Sequence, residues 1–383
     1  MRDCKQKGIS IQWFESVNEL PAAWQEQLPA HHFLQRDTLL AHEEAHLPHL
    51  RTVYALLFLN NQVVGQAAFQ VLSLQSTHIS DAALKPWQRI LWQAFTKVAQ
   101  PKLLVAGQLF RHDIVSYHWQ SSVTPFDAFQ YYRQAIVDGM KKYKAQAILV
   151  KETPEELVPY FQHHAPQYLL LRNDSSMQLQ LPAEWATFAD YEKSLKHKYA
   201  QRLRKVRQSW QELEVRELSV AEVQAHADKI YQLYLQVTGN QQVRLGMLSK
   251  AFIPSLKAFY KDRLKVWGIF KEGEMIAFAS AWVQDHSFDM FYIGFDYALN
   301  ARLQLYFNIL FFSIEQAIRL QKPQLILGRT ALEAKARVGC KPQYLHTFLY
   351  IKNPLVRSAV SRLQQKFTEG AGEWENRHPF KQP

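Results

Sequence analysis

Three stretches of this chain carry side chains whose types and spacing could do chemistry. His42-Glu43-Glu44-Ala45-His46 matches H-E-x-x-H, in which two histidines one helical turn apart hold zinc while the glutamate activates a water. Pro48 stops such a helix just past His46, and His49 stands where the extended motif needs glycine. The expectation is therefore no metal site, with a third ligand from elsewhere, and so a zinc hydrolase, left open as a minor reading. The second stretch is Gly328-Arg329-Thr-Ala-Leu-Glu333-Ala-Lys335, a charged turn after a short apolar run, preceded upstream by Tyr292-Ile-Gly294-Phe-Asp296. The third runs from Lys193 to Arg207, where seven of fifteen residues are Lys or Arg. Leu195, Tyr199, Leu203 and Val206 keep helical spacing within it, so it reads as a helix with one cationic face, either solvated or set against phosphate. The P-loop, G-x-S-x-G and G-x-G-x-x-G signatures are absent. A lone Cys340 without placed acid and base partners reads as inert.

The elements that must position these groups follow from periodicity. Phe288, Met290 and Tyr292 alternate as in a strand, and Gly294 permits a bulge or a close backbone approach. Leu303 to Gln321 has the period of a long helix closed by Pro323. Gln324 to Leu327 is a short strand ending at Gly328, and Ala331 to Val338 a short helix. This layout gathers polar groups at one end of a sheet. Earlier in the chain, Val53–Leu59 and Val63–Leu74 flank Asn60-Asn61 as a hairpin. The sequence of elements there resembles that from Val266 through Glu272-Gly273 to Ala281. Gln134-Ala-Ile with Ala147-Ile-Leu-Val is in turn echoed by Gln316-Ala-Ile with Leu325-Ile-Leu-Gly. The chain therefore reads as two copies of one α/β domain, 1–180 and 181–383, with a basic helix over about 187–211 opening the second. Trp87, Ile90, Leu91, Trp92, Phe95 and Val98 form a stripe read as core-facing, with an interfacial or partner-facing surface as the alternative.

The chain has 383 residues, 48% of them apolar, and a net charge of +11, which favours anionic partners such as nucleic acid, coenzyme phosphate or lipid headgroups. Two cysteines, Cys4 and Cys340, make no disulfide framework, and no run of ~18 apolar residues is present to span a bilayer. MRDCKQKG does not open as a signal peptide. A cytoplasmic protein is expected, with peripheral membrane contact left open.

Residues 264–345 resemble the FemAB-like and BioF2-like acetyltransferase domain of the GNAT superfamily. The resemblance is carried by the Val266–Val283 hairpin, Tyr292-Ile-Gly-Phe-Asp296, Gln316-Ala-Ile, and Gly328 to Lys335 with Gly339. Trp185 to Val215 is similar to the segment where such proteins carry a Tyr followed by a Lys/Arg-rich helix, and the first half to their degenerate first domain. The usual pyrophosphate loop is missing, Arg302-Leu-Gln stands for the small turn before the helix, and Ala334 for an aromatic residue. The resemblance implies two tandem GNAT-like domains, each a mixed, mostly antiparallel sheet flanked by helices, in a bacterial N-acyltransferase. It further implies transfer from acyl-CoA, or from aminoacyl-tRNA, to an amine, with no permanently bound cofactor. It places Asp296 as a base or amine-orienting group, Tyr306 as the proton donor to the leaving group, and Lys335 and Arg329 against phosphate or oxyanion. Tyr292, Gly294, Arg302, Arg202 and Arg204 would line the substrates. A catalytically silent basic protein that binds an anion in the same cleft is the rival reading.

Overall fold

The computed structural model describes residues 9–26, 28–29, 32–45, 47–81, 84–111, 114–171, 175–239, 244–370 and 377–381. Seven strands come first in the chain: Ile9–Phe14 (β1), Leu50–Leu59 (β2), Gln62–Ser73 (β3), Lys102–Ala106 (β4), Tyr117–Trp119 (β5), Ala147–Val150 (β6) and Leu169–Leu171 (β7). Seven more follow: Ser175–Gln180 (β8), Glu214–Glu217 (β9), Leu264–Lys271 (β10), Glu274–Val283 (β11), Ser287–Phe295 (β12), Gln324–Gly328 (β13) and Lys341–Tyr344 (β14). Thr347–Ile351 (β15) is last. The first sheet has the order β1-β2-β3-β4-β6-β15-β7 with β5 on β3, and the second β9-β10-β11-β12-β13-β8-β14. Among the described residues, only β4–β6 and β12–β13 run parallel. The expected α/β class, with two mostly antiparallel sheets flanked by helices, is what the chain adopts.

The two orders are the same pattern, and the hairpins that start them are built alike. β2 and β3 turn at Asn60 and Asn61, β10 and β11 at Glu272 and Gly273, and all four residues have positive φ. Two consecutive left-handed residues match the twist of the strands they join. The exchange of one strand interrupts the sequence order. β8 directly follows β7 yet enters the second sheet, and β15 follows β14 yet lies between β6 and β7 in the first. The compact units are accordingly 1–172 with 242–249 and 345–368, and 173–241 with 250–344 and 369–383. The expected break between 180 and 181 misplaces both strands. A short apolar run such as Thr347–Ile351 carries no mark of the sheet it will join.

The first unit buries Phe69, Phe129, Ile136, Ile148 and Phe348 around the Pro125–Lys142 helix. In the second, Leu305–Arg319 packs Ile309, Phe312 and Ile314 on Trp267, Phe288 and Leu325. Three expectations are corrected. The long helix expected from Leu303 breaks at Gln304, whose φ of 51° separates Tyr297–Leu303 from Leu305–Arg319. The basic segment is likewise two helices, Phe188–Ser194 and His197–Trp210, parted where Leu195 and Lys196 are extended. The stripe on Pro86–Ala99 faces outward instead of into the core, with Trp87, Ile90, Leu91, Phe95 and Val98 all exposed. Among the described residues, no helix is long and apolar enough to cross a membrane.

Candidate active site

The two parallel pairs differ in how far they close. β4 and β6 pair from Leu103↔Ala147 to Ala106↔Val150, the full length of β6. β12 and β13 pair only over Ser287↔Gln324, Phe288↔Leu325 and Asp289↔Ile326, although β12 continues to Phe295. The β13-facing edge of Met290–Phe295 therefore has no strand partner among the described residues. Unpaired backbone N–H and C=O groups must be satisfied by something, and here they open beside the loops leaving the C-terminal ends of both strands.

Lys335 follows β13 on the Leu332–Arg337 helix, which packs on β8 and β14, and only 4% of its surface is exposed. Burial pulls its amine down to about 8, against a small opposing pull from Cys340. The Cys340 N–H donates to the Lys335 carbonyl at 3.1 Å, and burial pushes the Cys340 thiol up to about 12. Tyr306, at the start of Leu305–Arg319, has a buried hydroxyl with no hydrogen-bond partner among the described residues. Burial first, and then the electrostatics of Cys340 and Tyr297, raise the Tyr306 phenol, which stays protonated. Tyr191 is wholly buried beside the same thiol and donates to the Val338 carbonyl at 3.0 Å. Lys335 and Tyr306, both expected site residues, thus converge on Cys340. Sequence reading had set Cys340 aside and missed Tyr191, because neither sits in a motif and both are recognised only by what they touch.

The remaining site residues separate. Asp296 caps the Tyr297–Leu303 helix, its carboxylate accepting from the Ala298 N–H at 2.8 Å. That role needs only a short acceptor side chain. Gly294 is a packing residue: a Cβ there would sit 2.5 Å from the Leu233 backbone and the Phe278 ring, so its lack of a side chain admits the Ala227–Gly239 helix. Tyr292 stands among Tyr234, Phe252 and Phe291, and its backbone N–H and carbonyl are both bonded to the Ser280 hydroxyl, at 3.0 and 2.8 Å. Arg302 is exposed. Arg329 is half-buried, which lowers its guanidinium to about 10.

The His197–Trp210 helix buries Ala200, Leu203 and Val206 and turns its cations outward, as its spacing implies. Much of that charge is already used. Arg204 bonds Glu192 at 2.6 Å, and Arg207 bonds Glu315 at 2.7 Å while stacking on Phe188. Arg202 lies over the Phe307 ring at 4.6 Å, and its guanidinium is lowered by partial burial and by Arg337. Glu333 accepts from Arg337 at 2.5 Å and from Arg377 at 3.0 Å. Arg202, Arg337 and Arg377 thus gather at Glu333, with Phe307 beneath Arg202. Arg337 and Arg377 were not singled out in sequence, since only the fold brings them to Arg202.

Two further features lie apart from this cluster. Glu43, the base of the H-E-x-x-H match, is bound by the Tyr54 hydroxyl at 2.7 Å and by the Val17 N–H at 3.1 Å. Its helix ends at Glu43, His42 packs on Phe33, and His46 lies outside the described residues. A cleft of about 810 Å³ opens on the β8–β14 edge, lined among others by Trp185, Phe380, Lys341 and Lys381. Gly339 borders it with φ +105°, and the Phe380 ring would stand 2.3 Å from a Cβ there.

A family model named FemAB-like and described as peptidoglycan biosynthesis/recognition matches residues 160–382, more than half of the chain. No curated protein matches in sequence. Among solved structures, the chain is similar to FemX (9% identity, 91% of this chain and 100% of that one, TM-score 0.49). It is also similar to a tandem GNAT protein from the clavulanic acid biosynthesis pathway (9%, 90% and 99%, 0.49) and to L-PGS from Bacillus licheniformis (10%, 78% and 86%, 0.45).

Proposed function

The chain belongs to the FemAB-like family and is an acyltransferase, and from that premise we propose that it moves an acyl or aminoacyl group onto an amine in cell-envelope biosynthesis, with the reacting groups at the β12–β13 opening. The observation that carries this is the early end of the β12–β13 ladder, with Tyr306 and Lys335 on helices that follow β12 and β13 in the chain. The unpaired edge of Met290–Phe295 offers backbone donors and acceptors to an extended acyl donor. An amine held at about 8 is partly neutral near pH 7, so Lys335 accepts the proton that the attacking amine loses. The new C–N bond forms as the C–S or C–O bond to the donor breaks, and the protonated Tyr306 hydroxyl supplies a proton to the departing oxygen or sulfur. The proton on Lys335 then passes through solvent to the Tyr306 phenolate, which restores both groups.

The donor is acyl-CoA or an aminoacyl-tRNA, and both bring phosphate to a cationic site. Arg202, which lies over the Phe307 ring, supplies that site better than Arg204 or Arg207, which are each bonded to a carboxylate, and Arg337 stands beside it. Asp296 serves as a cap in this mechanism and not as the base.

Native mass spectrometry and thermal shift against acetyl-CoA, longer acyl-CoAs and charged tRNA test the reading, followed by single-turnover transfer to amines. Binding of one donor class with transfer, both lost in Lys335→Ala, is the expected result. Anion binding without transfer to any amine would favour the silent basic binder instead.

A further inference from the structure

The Pro86–Ala99 helix presents its apolar side to solvent. At ~100° per residue, Ile90, Ala94, Trp87, Val98, Leu91 and Phe95 fall within an arc of about 140°. Trp87 is 59% exposed, Ile90 65%, Leu91 60% and Val98 85%. The helix is attached by its other side. Trp92 donates to the Ser76 carbonyl at 3.0 Å, and Thr96 is the one buried residue of the helix. No described residue covers the outward face. Isolated exposed apolar side chains are ordinary, but a contiguous stripe of this size on one helix marks a surface that another phase or molecule covers.

We propose that this face docks on an anionic lipid bilayer, the helix lying in the plane of the headgroup region. Charge decides between occupants. From Lys85 to Lys102 the chain carries Lys85, Arg89, Lys97 and Lys102 and no Asp or Glu. Arg89 reaches Asp81 only at 3.7 Å. A second copy meeting the same face would set Lys97, at the border of the apolar arc, and the cationic ends of the helix against their own kind, whereas anionic headgroups complement them. Large aliphatic residues with Trp87, bordered by Lys85 and Lys97, match the chemistry of an interfacial helix. At ~1.5 Å per residue the helix is about 21 Å long, short of the ~30 Å needed to cross a bilayer. This inference does not depend on acyl transfer, and it holds or fails separately.

The test is flotation of the full chain with phosphatidylglycerol–phosphatidylcholine vesicles against phosphatidylcholine alone. Binding to the anionic vesicles only, weakening with salt, is expected. The triple substitution Ile90→Ser, Leu91→Ser and Phe95→Ser should reduce the vesicle partition coefficient on the order of 10²-fold. Lys85→Gln and Lys97→Gln should each reduce it about fivefold. All three substituted apolar residues are exposed, so the melting temperature should hold, and an unchanged melt confirms that lost flotation is lost docking. Brominated lipid should quench fluorescence in the wild type, and less so in Trp87→Phe. Absence of flotation, equal flotation with both vesicles, or flotation indifferent to the triple substitution overturns the proposal. A wild-type dimer that the triple substitution makes monomeric, with no vesicle binding, assigns the face to a second copy and overturns it as well.

Discussion

Lys335 and Cys340 are joined through the backbone, the Cys340 N–H donating to the Lys335 carbonyl at 3.1 Å, and both side chains are buried. The short Leu332–Arg337 helix thus closes on itself and holds an amine away from water beside a thiol that remains protonated. Little in the surroundings balances a positive charge there, and burial dominates the amine's behaviour.

Lys335→Met should separate function from stability. The folded amine titrates near 8 and the free amine at 10.5, so the folded state disfavours the charged form. The resulting cost is complete below pH 8, shrinks as pH rises from 8 to 10.5, and is gone above. Methionine removes it, and at pH 7 the variant should gain on the order of 3 kcal/mol in urea unfolding. Turnover should fall ~10²–10³-fold. In the wild type, kcat/KM should rise with pH and level off above about 8. A variant no more stable than wild type at pH 7 would show that the amine is not buried as described.

Asp296→Asn should leave turnover near the wild-type value, because asparagine caps a helix as well as aspartate. Asp296→Ala should cost about 1 kcal/mol through the lost bond to the Ala298 N–H, seen as a lower melting temperature with kcat/KM barely changed. A ~10²-fold loss in Asp296→Asn would restore the carboxylate to the chemistry.

The fold was largely legible because its repeat is written in local signals. The Asn60-Asn61 and Glu272-Gly273 turns fix two hairpins, and the strands that follow repeat in the same order. What could not be read was long-range pairing. β8 and β15 change sheets, and no residue within them says so. The Pro86–Ala99 stripe failed for a related reason, since amphipathicity shows that a helix has an apolar face but not what faces it. In the proposed site, Lys335 and Tyr306 could be named through the resemblance, whereas Arg337, Arg377 and Tyr191 come to it only through contacts distant in sequence. Gln304 and Ala331, both with φ above 50° and neither glycine, mark the loops flanking the β12–β13 opening. Such strain persists where surrounding structure enforces it, and it leaves no trace in residue type.

The cations of the basic helix should divide into two groups. Arg202→Ala and Arg337→Ala should each weaken donor binding and flatten its salt dependence, since they gather with Arg377 at the one carboxylate of Glu333. Arg204→Ala should leave donor affinity unchanged, because its exposed pair with Glu192 adds little. Arg207→Ala should act on stability instead, losing both the Glu315 bond and the stack on Phe188. Titration of the donor at several ionic strengths separates these outcomes. Equal effects from Arg202 and Arg204 would make the helix a uniform solvated face.

Asn308 fastens that helix to the strained break. Its amide nitrogen lies 3.1 Å from the Val206 carbonyl, 3.1 Å from the Ser209 hydroxyl and 3.0 Å from the Leu303 carbonyl, and the side chain is fully buried. Asn308 and the Ser209 hydroxyl, which donates to the Leu303 carbonyl at 2.7 Å, together hold the end of His197–Trp210 against the turn that starts Leu305–Arg319, the helix bearing Tyr306. Asn308→Ala would leave the Val206 and Leu303 carbonyls to share the single Ser209 hydroxyl proton, at 2.9 and 2.7 Å, and would open a small void. Together these should cost about 2–4 kcal/mol, lowering the urea midpoint with an unchanged slope. Asn308→Leu fills the void but restores no donor, so it should recover only part of the loss. Turnover should fall in both variants through Tyr306, while the pH at which kcat/KM levels off stays where Lys335 sets it. Full stability in Asn308→Leu would mean that packing alone, and not the shared donor, joins the two helices.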